Sequence, residues 1–290
     1  MKFGYFGINW GPFAEPDGLA RLARAAEAAG YESIWTGEHV VIVDPQKPPS
    51  PIAPLTPLLD TVASLAFVAG QTERIRLGSG IILLAQRNPV VLAKELAAVD
   101  VLSKGRLIFG VGVGYVKGEF DAIGVPFEER GARTSEHIEA IRALWTQEAP
   151  AFKGEFTSFE GIQSRPLPKQ QPHPPIVVGG MSPPAYRRAV AQGNGWYGFM
   201  LSPDATAEAL AGLREAAQQV ERPASLGELE ITITPPPPID RDGVKRFEDM
   251  GVSRLVLMRD FSDMHAPRHD HVGDEIIAFV EKTAKDLGIH

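Results

Sequence analysis

The chain has 290 residues, 44% hydrophobic and 22% charged, with 29 Gly and 25 Pro, a globular composition rather than a disordered or fibrous one. A net charge of −7 and the lack of any Lys/Arg run exclude a nucleic-acid or anionic-membrane surface, which would need a concentrated basic field. Cys is absent, which excludes disulfides, thiolate nucleophiles and Cys-ligated metal together and makes a reducing cytoplasm the expected home.

In chain order, the N-terminal "MKFGYFGINWGPF" has no continuous apolar region of signal-peptide type and reads as a first strand, Lys2 to Ile8. No 18-residue apolar run follows anywhere, so no membrane span is expected. "DGLARLARAAEAAG" spaces Leu and Ala helically, with Asp17 at the N-cap and Gly30 just past the end. A second strand, Ser33 to Thr36, leads into "VIVDPQKPPSPIAPLTP", residues 41–57, whose six prolines mark a functional or mobile loop insertion. The third strand, Ile75 to Gly80, precedes a helix in which Asn88 stands before Pro89 and Gly105 closes the end. After the fourth strand, Leu107 to Gly112, come a helix at 134–148 and a hairpin insertion at about 152–172, centred on Glu160-Gly161. Strands at Pro175 to Gly179, Gly195 to Phe199, Leu229 to Thr234 and Ser253 to Met258 alternate with helices opened by Ser182-Pro183 and at 203–220, 241–250 and 271–286. Eight β/α alternations in this length predict one α/β domain over 1–290, a closed (β/α)8 TIM barrel with insertions, rather than a doubly wound open sheet.

An α/β barrel builds its active site at the C-terminal strand ends. Here those ends are Asn9-Trp10, Gly37-Glu38-His39, Gly80-Ile81, the "GVGVGY" of 110–115, Gly179-Gly180 and Phe199-Met200. "GVGVGY" is not a dinucleotide fingerprint, because the sixth residue is Tyr115 counted from Gly110 and Lys117 counted from Gly112. Bare glycines at 112 and 114 either let a flat or phosphorylated ligand reach the backbone or simply relieve crowding where the strand turns. Gly179-Gly180 before a helix start is an expected anion site. His39 is the candidate proton carrier, against the alternative of a structural histidine. Trp10 and Tyr115 are candidate pocket walls, or else core aromatics. His265, His269 and His271 in "HAPRHDH" have metal-compatible spacing, but they fall in a polar stretch without helical i, i+4 context, and no metal site is expected.

At these residues the sequence resembles the bacterial luciferase-like monooxygenase superfamily, most closely its deazaflavin (coenzyme F420)-dependent oxidoreductase branch. The resemblance rests on "GYESIWTGEHV", "TERIRLGSGIILLAQRNPVVLAKELAAVDVLSKGRLIFGVGVGY", "GVPFEERGARTSEHIEAIRALW" and "HPPIVVGGMSPPAYRRAVAQGNGW", in order over about residues 1–200. It implies a luciferase-like TIM barrel that binds F420, or alternatively FMN, edge-in at the strand ends, with a non-prolyl cis peptide at Gly80-Ile81 behind the ring. It also implies ring contacts from Glu38 and His39, with Glu38 tuning His39. Gly112, Val113 and Gly114, and Val178, Gly179, Gly180 and Met181, would hold the ribityl-phosphate arm. Asn9, Trp10 and Phe199 would line the substrate pocket, and Lys117 or Arg87 would receive the glutamyl tail of F420. Tyr115 replaces the catalytic Glu of the sugar-phosphate dehydrogenases in this superfamily, and no basic residues for a substrate phosphate are evident. The implied activity is therefore hydride transfer between F420 and a small, apolar organic substrate, with His39 moving the proton and Tyr115 as second candidate. The alternatives are an FMN-dependent monooxygenase using O2 and a flavin-binding barrel without turnover. A homodimer, with no nucleic-acid or membrane partner, completes the expectation.

Overall fold

The computed structural model describes residues 1–260 and 270–290, without the side chains of 270 and 271. Eight parallel strands close a barrel in the order β1 (Lys2–Phe6), β2 (Ser33–Thr36), β3 (Arg76–Ser79), β5 (Leu107–Gly112), β8 (Ile176–Gly179), β9 (Gly195–Phe199), β10 (Glu230–Thr234) and β11 (Arg254–Leu257). Closure runs through β3 against β5, with Leu77 opposite Leu107, and β1 against β11, with Lys2 opposite Arg254. A short β4 (Ile82–Leu83) continues β3 beyond a break and also pairs with β5. The helices are α1 (Pro16–Ala28), α2 (Thr61–Ala69), α3 (Pro89–Leu102), α4 (Lys117–Ile123), α5 (Arg130–Thr146), α6 (Pro183–Gln192), α7 (Pro203–Gln219), α8 (Arg241–Asp249) and α9 (Asp270–Leu287). Among the described residues no helix is long and apolar enough to cross a membrane.

Alternation along each strand separates two apolar layers. Ile34, Leu77, Leu107, Phe109 and Leu255 face the helices. Phe6, Trp35, Ile108, Val177, Tyr197 and Val256 fill the barrel interior. Trp35 lies so close to β3 that a Cβ on Gly78 would come within 2.4 Å of its ring, which is why that strand carries glycine at mid-height. The floor is charged: Arg254, 1% exposed, binds Glu32 at 2.9 and 3.0 Å and also pairs with Glu230. Burial alone would raise the Glu32 and Glu230 carboxyls, but the Arg254 charge holds both below the usual carboxylate range.

Several local expectations are corrected. The N-cap of α1 is Glu15, so Asp17 sits inside the first turn. The hairpin joins β6 (Phe152–Lys153) to β7 (Ser158–Phe159), ahead of Glu160-Gly161, because the Glu136 carboxylate accepts the N–H groups of Glu155, Phe156 and Thr157 at 2.7 to 2.9 Å. Two further helices carry no readable period: α2 is nine residues long and almost uniformly apolar, and α4 is only seven residues long. His265, His269 and the side chain of His271 lie outside the described residues.

Candidate active site

His39 follows β2, and its Nδ1 contacts the Oε1 of Glu119, a carboxylate only 1% exposed on α4. Since a carboxylate only accepts, Nδ1 carries the proton and Nε2 is left as the working nitrogen. The other oxygen of Glu119 accepts from Gln86 Nε2 at 3.2 Å. That bond fixes which way the Gln86 amide points and leaves its Oε1 a buried acceptor without a partner. Tyr115, 48% exposed, stands edge-on to His39 with ring centroids 6.2 Å apart. Burial and the nearby Glu119 charge raise its phenol above the ordinary value, so it keeps its proton at neutral pH.

Glu38 takes its hydrogen bonds from groups other than His39. Its Oε2 accepts from Leu83 N at 2.6 Å and its Oε1 takes Arg87, which also binds Asp60 at 2.7 Å. Burial works against the Arg87 cation, but Glu38 and Asp60 more than offset it, and its pKa lies above the usual value. Arg87 is thus a clamp between Glu38, which follows β2 and itself holds Leu83 of β4, and Asp60 at the N-cap of α2, and both carboxylates occupy it in place of an acidic tail. Lys117 is exposed and paired with Asp121 at 2.6 Å. Asn9 is fully buried and spends its amide on Gly37 and Leu59, so it cannot meet substrate directly. Trp10 and Phe199 both pack on Phe6, edge-on and tilted respectively, at the top of the interior layer.

The Gly80-Ile81 peptide bond is cis. The Ile81 side chain lies across β5 and β8, where a Cβ on Gly112 or Gly179 would lie 2.4 or 2.5 Å from Ile81 Cδ1. These bare strand ends are therefore first a seat for Ile81, which is half-buried and presents an apolar platform at the mouth. Gly110 is bare for a related reason: a Cβ there would fall 1.9 Å from the Ser79 carbonyl oxygen, while Ser79 Oγ accepts from Gly110 N at 2.8 Å. Gly114 has φ +80° and lies against Phe120. Val113 is half-buried, and Val178 faces the helix layer and can offer only backbone. Gly180, with φ +112°, and Met181, 57% exposed, form an open edge before α6. Ser182 occupies the N-cap position without a side-chain bond, and Pro183-Pro184 remove two of the helix's free N–H groups. The donors left for an anion are the backbone N–H groups of 180–182 and Ala185. Glu119 and Gln86 were missed from sequence because α4 was missed; the signal was a carboxylate beside an apolar Phe120 four residues after Tyr115.

The family model of luciferase-like monooxygenases matches residues 1–276. The chain belongs to that family. An uncharacterised protein of Mycobacterium tuberculosis is 30% identical over 277 residues, covering 92% of this chain and 93% of the relative. The oxygenase component of a flavin-dependent trigonelline monooxygenase of Acinetobacter baylyi is 33% identical over 179 residues, 61% of this chain and 46% of that protein. An F420-dependent secondary alcohol dehydrogenase, solved with an F420-acetone adduct, superposes with a TM-score of 0.74 at 16% identity, covering 96% of this chain and 97% of that one. Family members are oxidoreductases or monooxygenases dependent on flavin or F420, and this luciferase-like barrel is an enzyme of that kind.

Proposed function

We propose that this luciferase-like protein is an F420-dependent oxidoreductase that passes hydride between the deazaflavin ring and a small apolar organic substrate. The observation that carries the reading is the His39–Glu119 pair at the mouth, a proton carrier oriented by a buried carboxylate. The residues fit a tricyclic cofactor: Ile81 offers apolar, half-buried surface, the Gly180-Met181-Ser182 edge is exposed, and Gln86 Oε1 is an acceptor in want of a donor. Once bound, the cofactor supplies the hydride-accepting or hydride-donating carbon. Glu119 holds the Nδ1 proton, so that Nε2 takes or returns the proton that accompanies each hydride. Tyr115, kept protonated, is a second donor. Phe6, Trp10, Phe199 and Met200 keep water out and favour a neutral substrate.

The second reading, an FMN-dependent monooxygenase, is favoured by the identity to the trigonelline monooxygenase component. Titration of the purified protein with each cofactor separates the two. F420 should bind at least tenfold more tightly than FMN, a preference of about 1.4 kcal/mol. Its reduced complex should persist in air, because the deazaflavin carries carbon in place of the flavin N5 and forms no ready C4a adduct with O2. Preferential FMN binding with substrate-dependent O2 consumption would overturn the F420 reading. A homodimer belongs to the same proposal, supported by exposed Phe67 on α2 and Val91, Val101 and Leu102 on the adjoining α3; sedimentation as a monomer would remove it.

A further inference from the structure

Residues 40–60 form a strap over the barrel mouth. Asn9 pins both ends, donating from Nδ2 to the carbonyls of Gly37 at 3.0 Å and Leu59 at 2.7 Å, while Gly11 N binds Pro57 O at 3.0 Å. Near its start the strap reaches α4, where a Cβ on Gly118 would lie 2.8 Å from Val43 Cγ2. Six prolines stiffen it and most of its residues are exposed, Leu55 to 92%. Ile52 alone in this stretch is buried, at 2% exposed, and it joins Phe6, Trp10 and Met258 in the interior apolar cluster. Ile42, Leu58, Ile81, Phe199 and Met200 pack there only partly buried. A loop that needed only anchoring is already anchored by Asn9; the strap in addition lowers one apolar side chain into the space above the strand ends.

We propose that Ile52 is the specificity-determining residue of this site: its side chain fills the inner end of the substrate compartment and sets the largest neutral, apolar molecule admitted. The inference rests on the reading of the mouth as the place where a ring cofactor and an organic substrate meet. Removing side-chain volume at 52 enlarges the compartment, and adding it fills the compartment, without touching His39, Glu119 or the Gly180 edge. Calorimetric titration of cyclohexanone, a neutral alicyclic probe, into the full chain tests this, both cofactor-free and saturated with whichever of F420 and FMN binds. Ile52→Ala should bind the probe at least fivefold more tightly than wild type, Ile52→Val should fall between them, and Ile52→Trp should bind at least fivefold more weakly. Cofactor affinity should stay within twofold throughout. The conservative Ile52→Val keeps the test open if Ile52→Trp does not fold. Equal affinity in all variants, or no binding by any of them, overturns the role of Ile52. Failure of both cofactors to bind would instead sink the proposed function, leaving the cofactor-free titrations to decide the role of Ile52.

Discussion

Adding one methyl group at Gly112 or Gly179 tests whether the bare strand ends serve Ile81 or a ligand. Either Cβ would fall 2.4 to 2.5 Å from Ile81 Cδ1, about 1 Å inside ordinary contact. Overpacking of this kind costs about 1–3 kcal/mol, and a Gly-to-Ala change at an unstrained backbone position returns about 0.4–1 kcal/mol through the unfolded chain. Neither glycine has positive φ, so the steric term decides the sign. In a single variant Cδ1 can swing toward the glycine that remains, and the net loss should be at most about 1 kcal/mol. With both alanines present that escape is shut on two sides, and the loss should exceed the sum of the singles, reaching about 3 kcal/mol. In an Ile81→Ala background the same substitutions should become neutral or slightly stabilising. Calorimetric Tm values of the cofactor-free protein read this as shifts of about 2–4 °C per kcal/mol. Equal cost with and without Ile81, or unchanged stability accompanied by lost cofactor affinity, would refute the seat and return the glycines to ligand contact.

Arg106 donates to the carbonyls of Ala69 at the end of α2, of Thr72 and Ile75 after it, and of Ser103 at the C-cap of α3, so Arg106→Met should cost about 3 kcal/mol or more, measured by chemical denaturation. Glu32 and Glu230 titrate below their unfolded value of 4.5, so their contribution is complete above that pH and is lost as pH falls through the depressed folded values. Arg254→Met should therefore flatten the decline of Tm between about pH 4.5 and 3 as well as lower Tm at neutral pH; an unchanged acid limb would rule out the floor as its source. His39→Ala should slow turnover by about a hundredfold or more while cofactor affinity changes little, and Glu119→Gln should follow the same pattern to a lesser degree. Loss of cofactor affinity alone in His39→Ala would make the imidazole a packing group.

How much of this was legible beforehand differs by element. Strands such as Ser33–Thr36, Leu107–Gly112 and Gly195–Phe199, buried along nearly their whole length, and the Asn88-Pro89 start of α3, follow from local signals, because short β-rich runs and capping chemistry are written within a few residues. His39 at a strand end was readable for the same reason, since barrel geometry places it once the strands are known. Its partner was not: Glu119 is 80 residues away on a seven-residue helix, too short for the period to register. Nor was the ion-pair partner of Glu38, whose charge meets Arg87, 49 residues on. Local sequence thus determined the alternating strands and helices, their punctuation and the charge balance, all of which depend on neighbouring residues. Tertiary structure alone decided that Ile81 fills the space over Gly112 and Gly179, that Arg87 is a clamp, and that Ile52 reaches into the barrel, because each is a contact between segments brought together only when the barrel closes.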